Sequence, residues 1–284
     1  MKQVTKIPKL QARPENGHKG TFGKVLIVGG SLGMSGAVGI AGKSALKAGA
    51  GLVRVATPET CLPIVAGIDP CYTTIPLPED KGGRISSKAV NAILENVRDN
   101  VCVAFGCGVG QSTGLKAVTE KLISLKDIRL VIDGDGLNNL SKIRGFRAGS
   151  KDTVLTPHPG EMKRLWAGLF REELPNDRKQ QAVKLADKSN AIVVLKGAGT
   201  VVSDGERVYV NDTGNPGMAT GGAGDCLTGV IAALAGQGLD MFDSSVLGVY
   251  VHGLAGDIAA EKEGQISVTA MDIVDALSEA FMKL

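Results

Sequence analysis

The sequence is short of aromatic residues, which make up 4% of its 284 positions. It also lacks any apolar run near the ~20 residues that a membrane helix requires, so we expect no membrane-spanning segment. The opening residues, MKQVTKIPKL, carry charges and lack the apolar core of a secretory signal. Together these absences predict a cytoplasmic protein.

Two further classes of protein are disfavoured by what the sequence has little of. The five cysteines, an odd number, show no C-x-x-C spacing, which argues against a disulfide framework or a zinc site. The formal net charge is only +3, and no basic stripe with interleaved aromatic residues is present. We therefore expect no binding to nucleic acid, which requires a concentrated basic face.

Glycine, by contrast, is abundant, with 39 residues, and several short β-branched runs end in it. The run KVLIV at 24–28 is typical of a fully buried strand. A small-residue stretch of helical pattern at 36–48 follows, and then a second β-branched run at 52–56. Strand, helix and strand in this order form a βαβ unit, which implies a parallel sheet.

The same alternation continues along the chain, and Asp204-Gly205 between two short runs predicts a hairpin. We predict strands at 24–28, 52–56, 101–105, 129–133, 153–156, 191–195, 200–203 and 207–210, and helices at 36–48, 87–98, 114–124, 177–189, 225–236, 243–262 and 270–283. The pattern predicts one α/β domain over residues 1–284, with an irregular lead-in at 1–20. Its core is a single doubly wound, mostly parallel sheet with helices on both faces.

Glycine and acidic residues follow four of the predicted strands, at 29–30, 106–110, 133–136 and 196–199. Ligands of open parallel sheets bind beyond the carboxyl ends of the strands. Glycine at these ends permits a positive φ and a close approach of the ligand to the backbone. Four such clusters at one edge favour a ligand of nucleotide size over ordinary turn chemistry.

Two standard nucleotide motifs are absent. No G-x-G-x-x-G occurs, and Gly42-Lys43-Ser44 lacks the earlier glycine of a P-loop. A better phosphate site is GGAGD at 221–225, a glycine-rich turn that leads into an apolar helix and exposes unpaired N–H groups. Asp225 then has two interpretations, a helix N-cap or a base beside a phosphoryl group.

Several segments in one order carry a family resemblance: HKGTFGKVLIVGGS (18–31), SGAVGIAGKSALKAGAGLVRVATPE (35–59), GCGVG (106–110), LTPHPGEMKRL (155–165), VVLKGAGT (193–200), NDTGNPGMATGGAGDCLTGVIAALAGQG (211–238) and GVYVHGLAGDIAA (248–260). They resemble the ADP/ATP-dependent NAD(P)H-hydrate dehydratases, metabolite-repair enzymes of the ribokinase-like superfamily. The resemblance covers nearly the whole chain. It implies a ribokinase-like fold without a lid subdomain.

By this resemblance the protein is an enzyme, a carbon–oxygen lyase that dehydrates the S epimer of hydrated NADH or NADPH. ADP or ATP phosphorylates the C6 hydroxyl, phosphate is then eliminated, and NAD(P)H is restored with release of AMP or ADP. Asp225 is expected to be the general base that accepts the hydroxyl proton. Mg2+ is the expected cofactor.

The resemblance also assigns binding residues. Those expected to contact the hydrated coenzyme are Ala37, Val38, Gly108, Gly110, His158 and Asp225. Those expected to contact the adenine nucleotide are Lys196, Gly197, Ala198, Gly199, Thr200, Gly222 and Gly224. Glu161 is the candidate for holding Mg2+ through water, while the direct metal ligands stay unassigned.

Several alternatives stay open at this point. His158 could be a structural loop residue, Lys196 a strand-end lysine, and Asp133 and Asp135 turn residues. The residues do not distinguish ADP from ATP as the phosphoryl donor. They do not distinguish the hydrate of NADH from that of NADPH as the substrate either. A kinase of a small vitamin-type alcohol, such as hydroxymethylpyrimidine, thiazole or pyridoxal, is the alternative activity. A nucleotide-binding module without turnover is a third, which the complete GGAGD disfavours.

The resemblance further implies partners. Members of the family are often homotetramers, and they work with an NAD(P)H-hydrate epimerase that is often fused to them. The 284 residues are already occupied by the dehydratase motifs, so we expect no fused epimerase domain and an epimerase that is a separate protein.

Overall fold

Ten β-strands form one sheet in the computed structural model, which describes residues 2–284. They are β1 (Lys2–Val4), β2 (Lys24–Val28), β3 (Leu52–Pro58), β4 (Thr73–Leu77), β5 (Cys102–Phe105), β6 (Leu130–Ile132), β7 (Thr153–Leu155), β8 (Ile192–Leu195), β9 (Val201–Ser203) and β10 (Arg207–Val210). Strands β5 to β8 are buried along their whole length. Such complete burial requires a cover on both faces of the sheet, as in α/β proteins.

The strand order is β1-β10-β9-β8-β7-β6-β5-β2-β3-β4. Every neighbouring pair is parallel except the two pairs that involve β9, which is antiparallel to β8 and β10. The β9–β10 turn contains Gly205 at φ +96°, and the Asp204 carboxylate accepts the N–H groups of Glu206 and Arg207. The predicted hairpin is therefore confirmed.

The described residues also form ten α-helices: α1 (Ser35–Lys47), α2 (Leu62–Ala66), α3 (Val90–Arg98), α4 (Thr113–Ile123), α5 (Asp135–Leu140), α6 (Pro159–Leu169), α7 (Arg178–Ser189), α8 (Ala223–Gly236), α9 (Met241–Glu263) and α10 (Ala270–Met282). Val25 and Ile27 of β2 pack in one core with α1, α2, α8, α9 and α10. Leu26 and Val28 pack in the other core with α3 to α7. The doubly wound, mostly parallel α/β fold is confirmed.

Five elements are absent from the sequence-based prediction, namely the strands β1 and β4 and the helices α2, α5 and α6. The lead-in at 1–20 is wrong at residues 2–4, because β1 pairs in parallel with β10 there. Strand β4 carries Pro76 and lies at the other edge, the place where a sheet tolerates proline. Helix α6 was missed because Pro159, read as a loop residue, occupies its first position. Within residues 2–284, no helix combines the length and the apolar character that crossing a membrane demands.

Helices α1 and α8 approach each other closely at Gly229. A Cβ atom there would lie 2.1 Å from the carbonyl oxygen of Ala41 and 2.9 Å from the Cβ of Ser44. We expect Gly229→Ala to lower the free energy of unfolding by about 1–3 kcal/mol, because the backbone of α1 cannot yield as a flexible side chain would. Urea unfolding measures this change.

Gly36→Ala is the matched control. Gly36 lies in α1, the helix that packs against Gly229, and no atom lies within 4 Å of its Cβ position. This substitution should be neutral or stabilise the protein by up to about 1 kcal/mol, because alanine restricts the unfolded chain more than glycine. Equal effects of the two alanines would contradict the close helix packing.

Candidate active site

A cleft of about 910 Å3 opens at the carboxyl ends of β6, β7 and β8, beside the start of α8. The predicted nucleotide residues Lys196, Gly197, Ala198, Gly199, Thr200, Gly222 and Gly224 all line it, together with His158 and Asp225. Its other walls come from residues after β10 and from α9. The structure thus places the glycine loop (residues 196–200) and the GGAGD turn on the same edge of the sheet.

The start of α8 presents free backbone donors to this cleft. Gly222 is the N-cap residue with φ +93°, and the first helical hydrogen bond runs from Cys226 N–H to the Gly222 carbonyl. The N–H groups of Gly224 and Asp225 donate to no acceptor among residues 2–284. Unpaired N–H groups at the positive end of a helix dipole favour an anion.

Asp225 itself stands at the third position of α8 and is not its N-cap. Among the described residues, no N–H group donates to its carboxylate. Burial, together with the negative charge of Asp133, raises the pKa of Asp225 to about 6, although Cys107 and Lys196 act in the opposite direction. A carboxyl with this pKa is ionised at neutral pH yet basic enough to accept a proton.

Lys196 and Asp133 form a buried ion pair in the cleft wall. The Nζ of Lys196 lies 2.5 Å from Oδ1 of Asp133 and 4.0 Å from Oε2 of Glu161. Burial opposes the charge on Lys196, but the two carboxylates raise its pKa overall. A Cβ on Gly224 would lie 3.1 Å from this Nζ, so the ammonium group is next to the N-terminus of α8.

Asp133 is held by three elements in addition to its own strand. It is 2% exposed and accepts hydrogen bonds from the hydroxyls of Thr156 (2.7 Å) and Thr228 (2.9 Å) as well as from Lys196. Asp135 accepts the N–H of Gly110 at 3.0 Å. The two acids, whose roles the sequence left open, fix the cleft wall and the β5–α4 loop respectively.

His158 is the N-cap of α6, in a reciprocal capping arrangement with Glu161. Its Nδ1 accepts the N–H of Gly160 at 3.0 Å, and Oε2 of Glu161 accepts the N–H of His158 at 2.8 Å. Burial and the positive charge of Lys196 lower the pKa of His158. His158 therefore caps α6, and its half-exposed ring lies at the cleft, where its contact with the coenzyme stays a prediction.

The other residues expected at the coenzyme surround the turn after β2. A Cβ on Gly108 would lie 2.9 Å from Cβ of Ala37, and Gly110 follows in the same loop. Val38 is fully buried, with its methyl groups against Gly29 and Gly30, and its contact with the coenzyme stays a prediction. None of the four lines the 910 Å3 cleft.

The donor groups do not form a resident Mg2+ site. Among the described residues, one group of three places ligand atoms within 4.8 Å of one another, namely Cys107, Asp133 and Asp225. Burial raises the pKa of the Cys107 thiol well above its ordinary value, and Asp133 already accepts three hydrogen bonds. Mg2+ prefers oxygen ligands and is commonly held by substrate phosphates.

Glu161 stays a prediction as a water-mediated contact to Mg2+. Burial raises its pKa to about 7, and Oε2 is used by the His158 N–H. The other oxygen, Oε1, lies 3.5 Å from Nε2 of His158 and is the one left to accept a water.

Sequence reasoning missed two residues at the site. His252 of α9 lines the cleft, and burial lowers its pKa to about 4. Arg178 lies behind the glycine loop. The sequence offers a clue to Arg178 but none to His252. A cation at the start of a helix is unfavourable because of the helix dipole, so an arginine there indicates a stabilising contact nearby.

The chain is similar to known proteins over most of its length. Over 269 residues the chain is 33% identical to the ADP-dependent (S)-NAD(P)H-hydrate dehydratase of Cenarchaeum symbiosum, covering 94% of this chain and 91% of that protein. The solved structure of the ADP/ATP-dependent NAD(P)H-hydrate dehydratase of Bacillus subtilis, co-crystallized with ATP/Mg2+, has a TM-score of 0.81 at 26% identity, covering 96% and 94% of the two chains.

The chain is also 43% identical over 272 residues to the bifunctional NAD(P)H-hydrate repair enzyme of Moorella thermoacetica, covering 95% of this chain and 51% of that protein. It therefore spans about half the length of the bifunctional relatives it matches. The family model described as NAD(P)H-hydrate dehydratase matches residues 25–279. The chain belongs to the NAD(P)H-hydrate dehydratase family.

Proposed function

We propose that the protein dehydrates the S epimer of hydrated NADH or NADPH, using ADP or ATP as phosphoryl donor. The observation that carries the proposal is the position of Asp225. It is a partly buried carboxylate with a raised pKa, placed at a helix N-terminus and in one cleft with the glycine loop. The names of the relatives support the substrate.

In the proposed reaction, Asp225 takes the proton of the C6 hydroxyl as its oxygen attacks the terminal phosphorus of the nucleotide. The bond from that phosphorus to its bridging oxygen breaks, and AMP or ADP leaves. The free N–H groups of Gly224 and Asp225 and the ammonium of Lys196 stabilise the phosphoryl oxygens. Mg2+ bound to the nucleotide phosphates would neutralise part of their charge, with Glu161 as the candidate to hold it through water.

Elimination completes the cycle. The ring nitrogen lone pair expels phosphate from C6, and loss of the C5 proton restores the double bond of NAD(P)H. Phosphorylation is useful because phosphate is a far better leaving group than hydroxide. We further propose, on the family resemblance, a cytoplasmic homotetramer that acts together with an NAD(P)H-hydrate epimerase.

The direct test is an assay with hydrated NADPH, Mg2+ and either ADP or ATP. We expect recovery of the absorbance of reduced nicotinamide with release of one phosphate per coenzyme. A small-molecule kinase would instead yield a phosphorylated alcohol and no free phosphate. A nucleotide-binding module would bind ADP without turnover, and either outcome would reject the proposal.

We expect turnover to decrease as the pH falls through about 6. Burial raises the pKa of Asp225 to about 6, and only the ionised carboxylate can accept the hydroxyl proton. Below that pKa the rate should drop about tenfold per pH unit. The measurement is kcat from about pH 5 to about pH 9. A kcat that stays constant down to about pH 5 would exclude Asp225 as the base.

A further inference from the structure

The guanidinium group of Arg178 donates hydrogen bonds to the main-chain carbonyls at and just before the glycine loop. Its Nη2 donates to the carbonyl oxygens of Leu195 (2.9 Å) and Lys196 (3.1 Å). Its Nη1 donates to those of Ala198 and Gly199, the latter at 3.3 Å. One guanidinium group thus holds four of the five consecutive carbonyls between residues 195 and 199.

The charge of Arg178 has no acidic partner among the described residues. No carboxylate of residues 2–284 lies within ion-pair distance of it, and Nε is buried without a hydrogen-bond partner. The residue also occupies the first position of α7, where the helix dipole opposes a cation. Carbonyl dipoles alone compensate this charge, so much of it is left to act on the loop's surroundings.

The N–H groups of Gly197, Gly199 and Thr200, which follow three of these carbonyls, face away from Arg178. In a trans peptide the N–H points opposite to the preceding carbonyl, so carbonyls drawn towards Arg178 turn the following N–H groups away from it. The N–H groups of Gly197, Ala198, Gly199 and Thr200 donate to no acceptor among residues 2–284, whereas that of Lys196 donates to Pro157 at 2.9 Å.

This backbone also has the conformation of an anion-binding concavity. Gly197 has φ +137° and Gly199 φ +62°, values that side chains other than glycine rarely adopt. Successive N–H groups that converge in such a turn bind phosphate and other anions. The loop lines the cleft, so its N–H groups lie where a nucleotide phosphate would be bound.

We propose that Arg178 is a positioning residue that fixes residues 196–200 as a binding concavity for a phosphate of the nucleotide. The identity of the nucleotide rests on the function proposed above. Arg178 does not touch the ligand; it orients the peptides that do, and its charge adds to their positive potential.

The experiment compares ADP with adenosine, which lacks the phosphates, by calorimetry on the full chain. Arg178→Met should weaken ADP binding by about 10- to 100-fold, the effect of losing charged hydrogen bonds, and leave adenosine binding within about twofold. Arg178→Lys should lie between, because an ammonium group keeps the charge but cannot span four carbonyls. If the methionine variant does not fold, the lysine variant carries the test.

Arg147→Met is the matched control. Arg147 donates to the main-chain carbonyls of Asp187 and Lys188 at the far end of α7, at 3.5 and 3.2 Å, and lies outside the cleft. It should leave ADP binding unchanged.

The outcomes separate this inference from the proposed function. Equal weakening of ADP and adenosine, or an unchanged ADP Kd in both Arg178 variants, would overturn the role of Arg178, as would a wild-type chain that binds no ADP. Specific loss of ADP affinity would support it even if the wild-type chain failed to dehydrate the coenzyme hydrate. That failure would reject only the proposed function.

Discussion

Asp225→Asn is expected to give a folded protein whose turnover is reduced by about 10²–10⁴-fold. Asparagine has nearly the shape of aspartate but cannot accept the hydroxyl proton at neutral pH. The substitution also removes no helix cap, because Gly222 is the N-cap of α8 and no N–H group of the described residues donates to Asp225. The loss should therefore fall on kcat.

The stability of this variant should be unchanged or higher above pH 6. Burial raises the pKa of Asp225 in the folded state to about 6 from an ordinary value of 3.8. The folded chain thus binds this proton more tightly than the unfolded chain, and the resulting stabilisation is lost as the pH rises through about 6. Asparagine removes the cost of holding the ionised carboxylate in the cleft.

Asp243→Asn is the control for helix position. Asp243 is also the third residue of its helix, after the N-cap Asp240, but lies outside the cleft. It loses the same charge near a helix N-terminus, so its melting temperature should change by a comparable small amount while kcat stays normal. If Asp225→Asn retains turnover within a few-fold of the wild type, Asp225 is not the base.

The sequence predicts the fold well wherever periodicity and glycine punctuation coincide. β2, α1 and β3 are such a case, since each strand is a β-branched run and each boundary a glycine or a small polar residue. The prediction of strands from the sequence fails at the two edges of the sheet. β1 has three residues and β4 contains Pro76, so neither offers the long apolar pattern by which a central strand is recognised.

The candidate site was predicted only as far as local motifs reach. GGAGD and the glycine loop are visible in the sequence, because their glycines meet a backbone requirement that other residues cannot. The partnership of Asp133 with Lys196 joins residues 63 positions apart. The contact of Arg178 with the glycine loop joins the start of α7 to the end of β8. Such contacts depend on the strand order, which composition and spacing do not specify.

Lys196→Met is expected to lower the free energy of unfolding by about 3–5 kcal/mol, the usual cost of breaking a buried ion pair on one side. It would leave the carboxylate of Asp133, which is 2% exposed, with only the hydroxyls of Thr156 and Thr228 as donors. The pair is well shielded from solvent, since the Lys196 side chain is 19% exposed. Urea unfolding at neutral pH measures the change.

Lys184→Met provides the control, because Lys184 pairs with Glu172 at a similar 3.1 Å but the two side chains are 47% and 57% exposed. An exposed pair contributes about 0–1 kcal/mol, so this variant should unfold almost like the wild type. Combining Lys196→Met with Asp133→Asn should then recover most of the lost stability, because the carboxylate in direct contact with the missing ammonium group is removed as well. A Lys196→Met variant as stable as Lys184→Met, or a double variant less stable than Lys196→Met, would show that the pair does not hold this wall of the cleft.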